Sequence, residues 1–177
     1  HHLGPDTFAW EEEAATFIGL DDVIYQPGGT PAYVGGLREV QFAFLQAYLP
    51  TVRKDRLLVI GVHIPFYESG ARGFRPQDRE RLFAMLEDFP HVLLLSGHTH
   101  TQRYWYHDAS TGWHGMRPLH EYNVGAACGA YWSGIKDAEG IPDTTMADGT
   151  PNGYARLRVD AGVAYALSWH PARDADG

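Results

Sequence analysis

Two stretches of this chain repeat one pattern, and that pattern limits the fold severely. Leu57-Leu58-Val59-Ile60-Gly61-Val62-His63 and Leu93-Leu94-Leu95-Ser96-Gly97-His98-Thr99-His100 each run from apolar residues through a glycine to a histidine. Apolar runs of that length, without polar alternation, read as strands buried on both faces. Gly97 permits a sharp turn that no Cβ would obstruct. Strands of this kind belong to an α/β sheet, which places its ligands beyond the carboxyl ends of its strands. His63, His98 and His100 are therefore expected together at one end of one sheet.

The residues between the two runs supply the connection. Pro76 suits the first turn of a helix, and Leu82, Phe83, Leu86 and Phe89 give that helix an apolar stripe, with Arg79, Glu80, Arg81 and Glu87 outside it. Pro90 stops it. The spacing predicts a β-α-β unit whose strands are parallel neighbours joined by a right-handed crossover. Upstream, residues 7–10 and 15–20 read as a hairpin around Glu11-Glu12-Glu13. Asp21-Asp22 reads as turn and capping chemistry. Residues 27–36, punctuated by Pro27, Gly28, Gly29, Pro31, Gly35 and Gly36, read as a long loop. From residue 38 to 49, Val40, Phe42, Ala43, Phe44, Leu45, Tyr48 and Leu49 recur at helical spacing before Pro50.

After His100 the grammar changes. Residues 102–107, 119–124, 154–159 and 163–169 are short, β-rich and turn-separated, which predicts antiparallel strands. Asp160-Ala161-Gly162 is a hairpin turn signal. Residues 125–153 form a long segment of Gly, Pro, Asp and Thr, and a loop of that length is usually functional or mobile. Its Tyr131 and Trp132 are placed either to close over a substrate or to fill a gap in a core. The net charge of −8 speaks against a nucleic-acid surface. No apolar run reaches the roughly 20 residues of a membrane span. The single cysteine, Cys128, excludes an internal disulfide and reads as a small core residue. His1-His2 reads as the remnant of an expression tag and residues 171–177 as the start of a linker, so the chain is expected to be a piece of a longer protein.

Of the ten histidines, His91, His107, His114, His120 and His170 read as ordinary core or surface residues. His98 and His100 differ, because positions i and i+2 in a turn can aim both rings into one cavity. His63, on the neighbouring strand, is expected within a few ångströms of His98. Three adjacent neutral imidazoles disfavour protonation of any one, and a cation relieves that conflict. Three histidines and a water satisfy one zinc ion. A two-metal site needs additional oxygen ligands, for which Asp21 and Asp22 are too few, and the ligand count leaves both arrangements open.

Gly61-Val62-His63 and Gly97-His98-Thr99-His100 resemble the last two motifs of the calcineurin-like metallophosphoesterases. Asn123-Val124-Gly125-Ala126-Ala127-Cys128-Gly129 and Met146-Ala147-Asp148-Gly149-Thr150-Pro151-Asn152-Gly153-Tyr154 resemble a bacterial subgroup in which extra β-domains flank the phosphoesterase domain. The resemblance implies that residues 3–170 are the C-terminal part of such a domain. Its fold would be α/β: half of a metallophosphoesterase-type β-sandwich with flanking helices and a mixed sheet. The implied function is hydrolysis of phosphate mono- or diesters by a water activated at two divalent ions, manganese, zinc or iron. By carry-over, His63 and His98 bind one ion and His100 the other. The family's first three motifs, Asp-x-His, Gly-Asp-x-x-Asp and Gly-Asn-His-Asp/Glu, do not occur here, so the remaining ligands and the leaving-group acid are expected upstream. The chain then holds no catalytic acid of its own, binds one ion or none, and is inactive alone. Arg72, Arg75 and Arg103 flank the expected site, where they serve either substrate phosphate or surface solubility. An absent half would leave an open sheet edge and an apolar face, which predicts a homodimer or swapped assembly. The subgroup is associated with export to the periplasm. The rival readings are a non-catalytic metal-binding or interaction module and a mononuclear zinc hydrolase.

Overall fold

A computed structural model describes residues 5–160 and 163–172 of the chain. In chain order the elements are β1 (Thr7–Glu11), β2 (Ala15–Leu20), β3 (Val23–Tyr25), β4 (Tyr33–Gly35), α1 (Glu39–Tyr48), β5 (Leu57–Gly61), α2 (Pro76–Leu86), β6 (Val92–Ser96), β7 (Arg103–His107), β8 (Leu119–Asn123), β9 (Gly153–Val159) and β10 (Tyr165–Pro171). Six strands make the main sheet in the order β1-β2-β5-β6-β8-β7. β2, β5, β6 and β8 run parallel, and the outer strands β1 and β7 pair antiparallel with β2 and β8. The result is an α/β fold with a mixed sheet and two helices, compatible with half of a metallophosphoesterase domain. The tag reading of residues 1–2 and most of the linker reading lie outside the described residues, as does most of the Asp160-Ala161-Gly162 turn.

The apolar runs work as their composition requires. In β5, Leu58 and Ile60 face the helices while Leu57 and Val59 face the opposite side, so both faces are covered. The helix side is the larger core. There Phe42 and Leu45 of α1 and Leu82, Phe83 and Leu86 of α2 pack on Ile18, Leu58, Ile60 and Leu94. On the other side Ala15, Leu57, Val59 and Leu93 meet Leu157, Val159 and Tyr165 of the β9/β10 hairpin. Each fully buried Leu, Ile, Val or Phe among them, moved out of water, contributes roughly 1.5–3 kcal/mol.

Several expectations need correction. Val40 points outward from α1, because the buried stripe runs through Gln41, Phe42 and Leu45. Residues 27–36 are not a plain loop, since they contain β4, which pairs with β3 as a small hairpin, in strands too short to show alternation. β8 is not purely antiparallel: it pairs parallel with β6 and sits inside the sheet. Its buried Glu121 and Asn123 gave it the polar alternation of a half-exposed strand. Arg79 is not a solvent residue of α2; it is half-buried and its Nη1 donates to the Phe66 carbonyl at 3.1 Å. Cys128 is half-buried in the long loop, outside both core clusters.

Candidate metal centre

The two histidine-bearing segments leave adjacent strands side by side. β5 and β6 are in register with Gly61 opposite Leu95. The ladder continues past the strand ends, where Val62 N–H donates to Leu95 O at 3.0 Å and Gly97 N–H to His63 O at 3.0 Å. This pairing brings Nε2 of His63 to 3.0 Å from Nδ1 of His98, with the rings edge to face. Two imidazole nitrogens at that distance share one proton, one ring donating and the other accepting. Burial lowers the pKa of both rings. His98 and His100 push His63 further down, while for His98 the Glu68 carboxylate acts against burial and His100 and Arg72 act with it.

The turn that carries His98 and His100 is held in an uncommon backbone conformation. Both residues have positive φ, 70° and 53°, a left-handed region that non-glycine residues rarely occupy and that clusters at functional sites. The sharp turn expected at Gly97 thus falls on the histidines themselves. Three buried polar side chains brace the segments. Asn123 Nδ2 donates to Thr99 Oγ1 at 2.7 Å and Thr101 O at 2.6 Å, closing the turn from β8. Glu121 Oε1 accepts from Ser96 Oγ at 2.6 Å and from Phe66 N–H at 3.0 Å, and its Oε2 faces His107 Nε2 at 2.7 Å. One fully buried carboxylate therefore ties the residue two before His98 to the segment three residues after His63. Asp22 does the same for His63 itself. Its Oδ1 accepts from His63 N–H at 2.9 Å and its Oδ2 from Ile64 N–H at 2.8 Å. Burial pushes the Asp22 pKa up to about 7 against those backbone donors. Asp21 plays the turn role expected of the pair, accepting from Val23 N–H, and also meets Arg38.

The other expected site residues divide. His100 lies in the same turn, but its Nδ1 faces the carbonyl of Gly129 at 2.6 Å and its ring stacks on Tyr131. Arg72 lies over Tyr33, whose ring meets the edge of His98. Arg103 is held between Tyr67 and Trp105, and Arg75 faces Asp78 at the start of α2. Glu121, Asn123 and Gly129 were not singled out by the motifs as parts of a site. A carboxylate on the same face of a strand as Leu119, within reach of an unassigned histidine, was the signal available for Glu121.

Imidazole donors suit zinc or iron, and manganese calls for oxygen ligands beside them. Two nitrogens on one tetrahedral ion at about 2.1 Å stand roughly 3.4 Å apart, so the pair of His63 and His98 needs only a small opening to share a cation. The number of donors is smaller than such an ion takes: among the described residues no group of three or more His, Cys, Asp and Glu side chains converges as a ligand set. One pH response follows from the burial of the pair. With pKa values below 6.5, both rings stay neutral in the fold at a pH where an unfolded histidine has charged, so they weaken the fold as pH falls below 6.5. Asp22 acts oppositely between pH 3.8 and about 7, where the fold holds a proton that the unfolded chain has lost. An NMR titration of the metal-free chain should show His63 and His98 protonating below pH 6.5, and normal midpoints would contradict the buried pairing.

Residues 121–176 match the family model described as the C terminal of calcineurin-like phosphoesterase. The matched stretch starts at Glu121 and takes in the long loop, β9 and β10, less than half of the chain and C-terminal to all three histidines. That stretch is similar to the C-terminal part of a calcineurin-like phosphoesterase. No curated protein matches the chain.

Proposed function

We propose that this chain carries the histidine side of a metal-dependent phosphohydrolase centre acting on phosphate mono- or diesters. The observation that carries the proposal is the convergence of the His63 and His98 ring nitrogens at 3.0 Å, at the carboxyl end of two parallel strands, in the sheet whose strand β8 contains the start of a stretch that matches a phosphoesterase family. Two divalent ions, manganese, zinc or iron, when bound, neutralise phosphate charge and activate water. His63 and His98 would hold one ion and His100 the other. The chain's own work is positional. Asp22, Glu121 and Asn123 fix the two segments, and burial, which lowers the pKa of His63 and His98, favours those two rings in the neutral form that a cation needs. Arg72, exposed over the Tyr33 ring, offers a cation near them for an anionic substrate oxygen.

Carboxylate ligands and the leaving-group acid would come from polypeptide outside these 177 residues. What supports this is a groove of about 600 Å³ on the hairpin side of the sheet, where Phe8, Trp10, Phe17, Val59 and Leu95 lead directly to His63 and Gly97. An open apolar groove that ends at an incomplete ligand set is what a missing domain half would cover. The chain alone, with added manganese, is expected to hydrolyse an aryl phosphate no faster than manganese in buffer, whereas the full-length protein turns it over. Enzyme-like turnover by the chain alone would refute the divided centre. The same groove should drive self-association of the isolated chain. Light scattering at high concentration is expected to report a dimer, and a clean monomer would contradict that expectation.

A further inference from the structure

His100 is held by a part of the chain 29 residues further on, through two contacts that act on different freedoms of its ring. We infer that residues 129–131 of the long loop are a positioning device that fixes the tautomer and orientation of His100, leaving Nε2 as its one free lone pair. The inference rests on the phosphohydrolase reading for what that lone pair serves, but its structural half stands apart from it.

A carbonyl oxygen only accepts, so the 2.6 Å contact between Gly129 O and His100 Nδ1 requires the proton on Nδ1. A neutral ring then keeps its lone pair on Nε2. Tyr131 stacks on the same ring, centroids 4.2 Å apart and planes 29° from parallel. The hydrogen bond sets the direction of the ring within its plane, and the stack sets the plane. A metal-ligating histidine is commonly oriented by such a second contact on its other nitrogen.

The loop accepts unfavourable backbone geometry to make these contacts. Tyr131 and Trp132 both have positive φ, 61° and 58°. Tyr131 is 73% exposed, so burial does not explain its place. Gly129 also has positive φ, and a Cβ there would collide with the carbonyl of Thr144. The turn is tied down on both sides, by Ala130 N–H to Thr144 O at 3.0 Å and Asn152 Nδ2 to Ala127 O at 3.0 Å. Strained residues held by anchors of this kind point to a role for the side chain they present.

The test uses full-length protein labelled with ¹⁵N at histidine and stripped of metal. Long-range ¹H–¹⁵N spectra should show His100 protonated at Nδ1 and bare at Nε2. Tyr131→Ala should raise the population of the other tautomer, and Tyr131→Phe, which keeps the stack, should restore the native spectrum. Gly129→Ala should act like Tyr131→Ala if it folds; the tyrosine pair decides the matter if it does not. In zinc or manganese titrations, Tyr131→Ala should weaken one binding step by roughly tenfold or more, with Tyr131→Phe unchanged. A wild-type His100 protonated at Nε2, or a Tyr131→Ala variant with native tautomer and native affinity, would overturn the inference. Tautomer effects as expected in a protein that binds no metal would uphold the positioning device and refute the phosphohydrolase reading instead.

Discussion

His98→Ala in the full-length protein should lower kcat/KM for a phosphate ester by on the order of 10³-fold, about 4 kcal/mol of transition-state stabilisation. The ring removed supplies one of the two nitrogens that meet at 3.0 Å, and His63 alone cannot hold a cation that needs several ligands. The fold should survive. His98 is only partly buried, and the bracing by Asp22, Glu121 and Asn123 does not touch its ring. Histidine already carries a Cβ at its φ of 70°, so alanine adds little backbone cost there. Activity should therefore fall steeply while urea unfolding moves little. Native activity in His98→Ala would remove this ring from the centre.

Glu121→Ala should do the reverse, destabilising the chain by about 3–5 kcal/mol as read by urea unfolding. The carboxylate is fully buried, and three groups depend on it: Phe66 N–H, Ser96 Oγ and the fully buried His107. Removing the acceptor leaves donors stranded where water does not reach, and each costs more than the bond was worth. Glu121→Gln keeps the shape and one acceptor oxygen, so it should cost less than alanine while still disturbing His107. A loss below about 1 kcal/mol for Glu121→Ala would mean that water enters this site, and the rigid bracing of both histidine segments would be lost with it.

The histidine pairing was legible because it needs only two facts visible in sequence. Apolar runs at 57–60 and 93–95 must be buried, and a connection containing a helix makes them parallel neighbours. Their exits then meet, and His63 and His98 with them. The supports were not legible, for a common reason. Asp22 acts on backbone N–H groups 41 and 42 residues away, and every residue but proline offers such a donor, so the partner leaves no trace in residue identity. Glu121 and His107 look unrelated until β7 and β8 are paired and the carboxylate is turned toward the helices. The position of His100 depended on Gly129, whose contact is again a backbone carbonyl. The parallel placement of β8 was hidden by the same polar residues that brace the site.

The most direct measurement is the metal content of the full-length protein, by equilibrium dialysis against manganese or zinc followed by elemental analysis. With His63, His98 and His100 all present, two divalent ions per chain are expected, and His98→Ala should hold fewer. A full-length protein that binds no divalent ion, or one whose metal content is untouched when all three imidazoles are replaced, would contradict the account at its centre.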